Sequence, residues 1–185
     1  KSSNVGATKI ANELTNEHQY DMYQRFGLGH ASGSGFPGES AGVLRAPNLW
    51  GPTEKATISY GYGLSVTPLQ LARAYAALGN RGRLHEATFV KGADSASVQV
   101  IDPAIAAQLM VMMETVTGAE GTARRAAVMG YRVAGKTGTS RKASGGGYAA
   151  KRYAAVFVGL VPASKPKFAM AVVIHDPQGL EYGGG

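Results

Sequence analysis

The sequence predicts an α+β fold in which helices pack on an antiparallel sheet. Before residue 131, apolar residues recur at helical spacing between capping residues and glycines. After it, three β-rich runs follow one another, joined by two short connections. Short connections between successive strands favour antiparallel pairing. The 185 residues are enough for one domain, or for a large part of one, with its own hydrophobic core.

Helices are predicted in three parts of the chain, each with its own start and stop signals. Ser3 or Asn4 is suited to cap the first helix, and Gly27 ends it. The second helix opens with Thr67 and Gln70 at the spacing of a capping box, with proline at the first helical position. The predicted helices cover residues 5–26, 67–79 and 102–118.

The main strands are predicted in the last third of the sequence, where β-branched and aromatic residues are concentrated. They cover residues 131–139, 152–161 and 167–175, and a weaker strand is predicted over 83–91. The glycine-rich segment 140–150 joins the first two main strands. Residues 27–58 are predicted to be irregular, and so long a loop in a compact domain is usually functional.

The composition excludes several classes of function. The chain has no cysteine, so disulfides and thiolate metal sites are ruled out. Its four histidines show no metal-ligand spacing, and we predict neither a metal nor a cofactor. The net charge of +7 favours anionic partners in general, but the basic residues are scattered and no nucleic-acid-binding motif is present. We therefore predict a solvated basic surface that does not bind nucleic acid.

Lys136-Thr137-Gly138-Thr139 places a cation, two hydroxyls and a glycine at the end of one predicted strand. Gly135 and Gly138 remove side chains from that edge, so an extended peptide can add there as a further strand. The threonine hydroxyls are suited to hydrogen-bond a substrate carboxylate, with Lys136 as the opposing charge. The backbone N–H of Thr139 is a candidate donor to an oxyanion.

Ser2-Ser3-Asn4 places a hydroxyl and a carboxamide just before a helix, which alone is an ordinary cap. Its pairing with the lysine motif is informative, because S-D-N and K-T-G accompany S-x-x-K in serine enzymes that acylate on β-lactams; here the middle residue is Ser3 instead of Asp. Residues 164–167 match S-x-x-K by letter, but Pro166 lies between strands, where a helical turn is not expected. Residues 33–38 match G-x-G-x-x-G, yet they follow no strand and open no helix.

With both motifs in place, the chain resembles the transpeptidase domain of class B penicillin-binding proteins, in particular the septal peptidoglycan D,D-transpeptidases of Gram-negative bacteria. The resemblance implies the penicillin-binding protein/serine β-lactamase-like fold, present here as a partial domain. It also implies a serine acyl-enzyme and inhibition by β-lactams. The segments that resemble family signatures are residues 1–6, 35–39, 59–64, 67–72, 135–139, 176–177 and 182–184.

The resemblance implies a role for each matching residue. Ser2 would relay a proton to the departing amine, and Asn4 would hold the substrate amide together with the catalytic lysine. The terminal carboxylate would be bound by Lys136 and by the substrate-binding residues that follow it. Those are Thr137, Gly138 and Thr139, with Arg141 as a helper and Tyr182 as an aromatic contact. Gly183 departs from the family, whose members often carry a second aromatic residue there.

Residues 1–185 are therefore interpreted as part of a transpeptidase domain whose nucleophile lies upstream of Lys1. We predict that the chain alone is inactive and forms no covalent adduct with penicillin. The resemblance implies three kinds of partner: stem peptides ending in D-Ala-D-Ala, β-lactams and divisome membrane proteins. It also implies a location at the periplasmic face of the inner membrane, with the anchor outside this sequence. Two alternatives remain: a β-lactamase or D,D-carboxypeptidase of the same fold, and a non-catalytic peptidoglycan-binding module.

Overall fold

The computed structural model describes residues 2–144 and 147–178, with backbone only for residues 143–144 and 147–151. The helices are α1 (Asn4–Asn12), α2 (Asn16–Arg25), α3 (Pro52–Ser59), α4 (Pro68–Gly79) and α5 (Pro103–Glu114). The strands are β1 (Arg83–His85), β2 (Ser97–Gln99), β3 (Ala134–Ser144), β4 (Gly147–Val161) and β5 (Phe168–His175). Short 3₁₀ turns cover Pro47–Leu49 and Arg124–Ala126. Within the described residues, no helix has the length and apolar character needed to cross a bilayer.

The N-terminal helical region consists of two helices, so the prediction of one helix over residues 5–26 is wrong. Thr15 has an extended backbone, and its hydroxyl accepts a hydrogen bond from the His18 N–H at 3.1 Å. This N-cap begins α2 as a separate helix and fixes its direction relative to α1. Ser3 caps α1 in the same way, because its hydroxyl accepts from the Gly6 N–H at 3.1 Å.

The loop region contains more structure than predicted. Its last part forms α3, where Pro52 occupies the first turn and supplies the helical φ angle in advance. Trp50, just before α3, is buried and donates its indole N–H to the Arg45 carbonyl at 3.0 Å. Asn16 at the start of α2 donates to the carbonyls of Pro47 and Trp50. These bonds fasten the end of the loop to α2.

The capping box predicted for α4 is confirmed. The Thr67 hydroxyl accepts from the Gln70 N–H at 3.1 Å, and the Gln70 side chain accepts from the Thr67 N–H at 2.8 Å. The Gln70 amide then donates to the carbonyls of His30 and Ala41. Since Gln70 is only 1% exposed, one buried side chain connects α4 to the loop that precedes it.

The antiparallel sheet predicted for the C-terminal part is confirmed, with strand order β3-β4-β5. Its strands are longer on the hairpin side than predicted, and α5 ends at Glu114 instead of Gly118. Helices α4 and α5 cover one face of the sheet, where Met110, Ala134, Leu160 and Ala163 form a buried cluster. The weak strand predicted over 83–91 is reduced to β1, which pairs with β2.

Candidate active site

The two motifs from opposite ends of the sequence meet in the structure. The Lys136 ammonium donates to the Ser2 hydroxyl at 3.0 Å and to the Thr137 carbonyl at 2.8 Å. An ammonium group can only donate, so the Ser2 oxygen is the acceptor and the proton of this hydroxyl can serve another group. Within the described residues, no carboxylate forms an ion pair with Lys136.

Lys136 is half-buried because of its place in the sheet. It lies opposite Val158, which is 3% exposed, on the sheet face that the helices cover. Burial lowers the pKa of the Lys136 ammonium from its ordinary value, since removing water disfavours the charged form. Lys136 therefore brings a partly desolvated positive charge to the Ser2 hydroxyl.

The start of α1 delivers Ser2 to this position. Ser3 is the N-cap, and Asn4 is the first helical residue and is exposed to solvent. Helix α1 packs against α3, where the hydroxyls of Thr8 and Ser59 lie 3.5 Å apart. Because α1 is capped and packed in this way, it fixes the direction in which Ser2, just before the cap, approaches the sheet.

Strand β3 is an edge strand of the sheet in the described residues. Arg141 donates its backbone N–H to the Tyr62 hydroxyl at 2.9 Å. Opposite it, the Tyr153 carbonyl accepts from the Asp176 N–H at 2.8 Å, so the Tyr153 backbone faces β5. In an antiparallel ladder, opposite residues that do not bond to each other direct their backbone groups outward. The Arg141 backbone therefore points to the outer edge of β3.

Residues two apart on a strand present their backbone groups to the same edge. Thr137 and Thr139 therefore share the outer edge with Arg141. The bond from Lys136 to the Thr137 carbonyl agrees with this direction. An extended peptide lying along this edge would meet the Thr139 N–H, between the Lys136 end and the Tyr62 end of the strand.

The two glycines of this strand have different surroundings. A Cβ atom on Gly135 would lie 2.7 Å from the Phe157 ring, so packing requires glycine at this position. A Cβ on Gly138 would meet only the Val156 Cβ, at 3.7 Å, an ordinary contact. The absence of a side chain at 138 is therefore not imposed by packing within the sheet.

Thr122 was not predicted to belong to this site. Its hydroxyl lies 2.9 Å from the Thr137 hydroxyl. The loop that carries it is tightly folded, because a Cβ on Gly121 would lie 2.0 Å from the Val116 carbonyl and Ala123 donates to that same carbonyl. Neither spacing nor residue type marks a single threonine in such a loop, so only the fold reveals the contact.

Tyr62 is the second residue whose role the sequence did not reveal. It lies in Tyr60-Gly61-Tyr62-Gly63, where both glycines have positive φ and the two rings meet edge to face at 5.9 Å. The segment was noted only as a family signature. Its bond to Arg141 joins residues 79 positions apart, which no local pattern can indicate.

The remaining predicted residues are placed as follows. Arg141 has an exposed side chain at the end of the lysine motif. Tyr182, predicted as an aromatic contact, and Gly183, where the chain departs from the family, lie outside the described residues. Ser164 and Lys167, the S-x-x-K letter match, lie in the non-helical connection between β4 and β5, as expected.

The chain belongs to the family of penicillin-binding protein transpeptidase domains, since the sequence model of that domain matches residues 1–185. It is 42% identical to peptidoglycan D,D-transpeptidase FtsI of Escherichia coli and 42% identical to the probable peptidoglycan D,D-transpeptidase PenA of Neisseria gonorrhoeae. Each alignment covers 100% of this chain but 32% of the relative, so the chain spans about a third of their length.

Solved structures agree with the fold. The transpeptidase domain of Burkholderia pseudomallei penicillin-binding protein 3 matches with a TM-score of 0.89 at 45% identity, over 96% of this chain and 54% of that one. Penicillin-binding protein 3 of Mycobacterium tuberculosis, complexed with aztreonam, matches with a TM-score of 0.92 at 30% identity, over 98% of this chain and 45% of that one. The predicted α+β fold of this family is thereby confirmed.

Proposed function

We propose that this chain is part of a peptidoglycan D,D-transpeptidase that cross-links stem peptides through a serine acyl-enzyme. The observation that carries the proposal is the 3.0 Å bond from Lys136 to Ser2 beside the outer edge of β3. It brings a hydroxyl, a partly desolvated cation and a peptide-binding edge into one place. The names of the relatives support this activity over hydrolysis.

The substrate would bind as an extended peptide on the edge of β3. Its terminal carboxylate would be held by the hydroxyls of Thr137 and Thr139, with Arg141 as a further positive charge. The Thr139 N–H would face the carbonyl that becomes an oxyanion. Asn4, at the start of α1, would hold the substrate amide. The contact with Thr122 orients the Thr137 hydroxyl for its part in carboxylate binding.

The serine nucleophile is assigned to a part of the protein that precedes this sequence. Its oxygen attacks the carbonyl before the terminal D-Ala, and the C–N bond breaks to leave an ester. The departing amine takes a proton from the Ser2 hydroxyl, whose oxygen is stabilised by the Lys136 ammonium and regains the proton that the nucleophilic serine gives up. An acceptor amine on a neighbouring strand then attacks the ester and releases the serine.

Labelling with a fluorescent penicillin tests this function. A protein that contains the complete transpeptidase domain should form a stoichiometric adduct that persists, whereas residues 1–185 alone should form none. Loss of the label within seconds would favour a β-lactamase or carboxypeptidase, and no label on the complete domain would favour a binding module. Ser2→Ala should slow labelling, and Ser164→Ala is the matched control because Ser164 lies in a connection away from β3.

The cellular context is part of the proposal. Cell-division membrane proteins are the proposed partners, and the periplasmic face of the inner membrane is the proposed location. The naming of FtsI and PenA relatives as peptidoglycan D,D-transpeptidases supports this context, because their substrate lies outside that membrane. Fractionation of cells that express the tagged protein tests the location, and recovery in the cytoplasm would contradict it. Crosslinking at the division site tests the partners.

A further inference from the structure

The β3–β4 ladder is interrupted near the tip of the hairpin. Arg141 pairs with Tyr153 and Ala143 pairs with Tyr148, so the single residue Lys142 lies opposite the segment 149–152. Such a bulge removes the regular backbone bonds that would hold the two strands in register. It comes directly after Arg141, the residue that ends the proposed carboxylate-binding edge.

One carboxylate joins the strands where the ladder is interrupted. Asp176, just after β5, accepts from the Lys142 ammonium at 2.7 Å. It also accepts from the Arg152 guanidinium, at 2.8 Å to one oxygen and 3.3 Å to the other. These bonds, those of Arg152 above all, hold the pKa of the Asp176 carboxyl well below its ordinary value. The side chains of Lys142 and Asp176 are 23% and 34% exposed.

The backbone of Asp176 also bonds to β4, at the residue that lies opposite Arg141. Its φ of 49° is a left-handed conformation, which aspartate tolerates better than most residues. In this conformation its N–H reaches the Tyr153 carbonyl at 2.8 Å, and Tyr153 lies opposite Arg141. On the outer edge of β3, the Arg141 N–H donates to the Tyr62 hydroxyl. Asp176 thus holds Tyr153, the residue opposite Arg141, while Tyr62 binds the Arg141 N–H from the outer edge.

We infer that Asp176 is a positioning residue, whose carboxylate fixes the end of β3 through Lys142 and Arg152 and so aligns Arg141 with the substrate carboxylate. The inference rests on the proposed function. A role in stability alone would predict a loss of folding free energy with little change in penicillin binding, whereas an exposed ion pair should affect neither strongly. The ion pair Arg25–Asp21, at 3.9 Å on the surface of α2, is such a pair and supplies the control.

The test uses a protein with the complete transpeptidase domain and benzylpenicillin, which carries a carboxylate. We measure the dissociation constant of the initial complex and the acylation rate constant separately. Asp176→Asn should raise the dissociation constant about tenfold, which corresponds to about 1.4 kcal/mol, and change the rate constant less than twofold. Asp176→Glu should restore part of the binding, and Asp21→Asn should change neither constant.

The double variant Asp176→Asn/Arg141→Gln identifies the route. If Asp176 acts through Arg141, the double variant should bind no worse than Arg141→Gln alone, since the two changes remove one interaction. Additive losses would overturn the inference, as would an Asp176→Asn protein that binds like the Asp21→Asn protein. Lys142→Gln leaves the Arg152 pair in place and tests the same prediction if Asp176→Asn fails to fold. Absence of acylation in the unmodified domain would instead overturn the proposed function.

Discussion

Gln70 and Lys136 are polar side chains in the interior of the same molecule, but they are satisfied differently. Gln70 is 1% exposed, and its amide bonds to the His30 and Ala41 carbonyls and to the Thr67 N–H. Lys136 is half-buried, and its charge meets only a hydroxyl and a carbonyl in the described residues. A buried amide with all its partners stabilises the fold, whereas a desolvated cation without a carboxylate is available for an anionic ligand.

The largest expected effect concerns the cation. In the complete domain, Lys136→Met should lower acylation by penicillin about 1000-fold, equivalent to about 4 kcal/mol, because a preorganised positive charge is removed. The melting temperature should not fall, since burial of the cation costs free energy that an uncharged side chain does not. Stopped-flow acylation and thermal unfolding measure the two effects. Lys91→Met, at an exposed position, is the control, and equal effects of the two changes would contradict the comparison.

The next effect concerns the satisfied amide. Gln70→Leu should reduce the free energy of unfolding by about 3 kcal/mol, because the His30 and Ala41 carbonyls and the Thr67 N–H lose their partner. Denaturant unfolding measures this loss, and Gln108→Leu on the exposed side of α5 is the control. Acylation measured well below the melting temperature should be unchanged. A folded variant that acylates slowly would show that Gln70 serves the site as well.

A smaller effect is expected at Thr122, which contacts Thr137 in the candidate active site. Thr122→Val keeps the shape but removes the hydroxyl that contacts Thr137 at 2.9 Å. We expect about tenfold weaker binding of benzylpenicillin, equivalent to about 1.4 kcal/mol, because the Thr137 hydroxyl is no longer oriented. Thr53→Val, exposed on α3, is the control. Unchanged binding would mean that the hydroxyl contact is incidental.

The smallest effect is pH-dependent and concerns the loop that Gln70 secures. Glu39 accepts from the Ser32 N–H and the Ser34 hydroxyl, and hydrogen bonds from these serines lower its pKa from 4.5 to about 2. A carboxylate with a lowered pKa adds stability above pH 4.5 that disappears as the pH falls towards 2. The stability difference between the unmodified chain and Glu39→Gln should therefore shrink across this interval. A difference that stays constant would contradict the assignment.

The sequence predicted the elements that have strong local signals and missed those whose local signal is weak. The α4 capping box and the antiparallel strands follow from cap residues and short connections. The break between α1 and α2 was missed because Thr15 interrupts an otherwise continuous helical pattern, and α3 was missed because few of its residues are apolar. The first error concerns a helix boundary, and the second concerns a helix whose amphipathic pattern is weak.

The candidate active site was also predicted only in part. Ser2 and Lys136 were paired because both belong to motifs, and the structure places them in contact. Thr122 and Tyr62 were not assigned to it, because each contacts the site through a single hydroxyl from a distant loop. The packing of Gly135 against Phe157 was not predicted, because a letter sequence does not say which face of a strand is packed.

A crystal structure of the complete domain acylated by benzylpenicillin would show whether Ser2, Lys136 and the outer edge of β3 form one binding site. We expect the antibiotic carboxylate on the hydroxyls of Thr137 and Thr139, with the Lys136 ammonium still bonded to the Ser2 hydroxyl beside it. A penicilloyl adduct whose carboxylate points away from β3, with Ser2 separated from Lys136, would contradict the account.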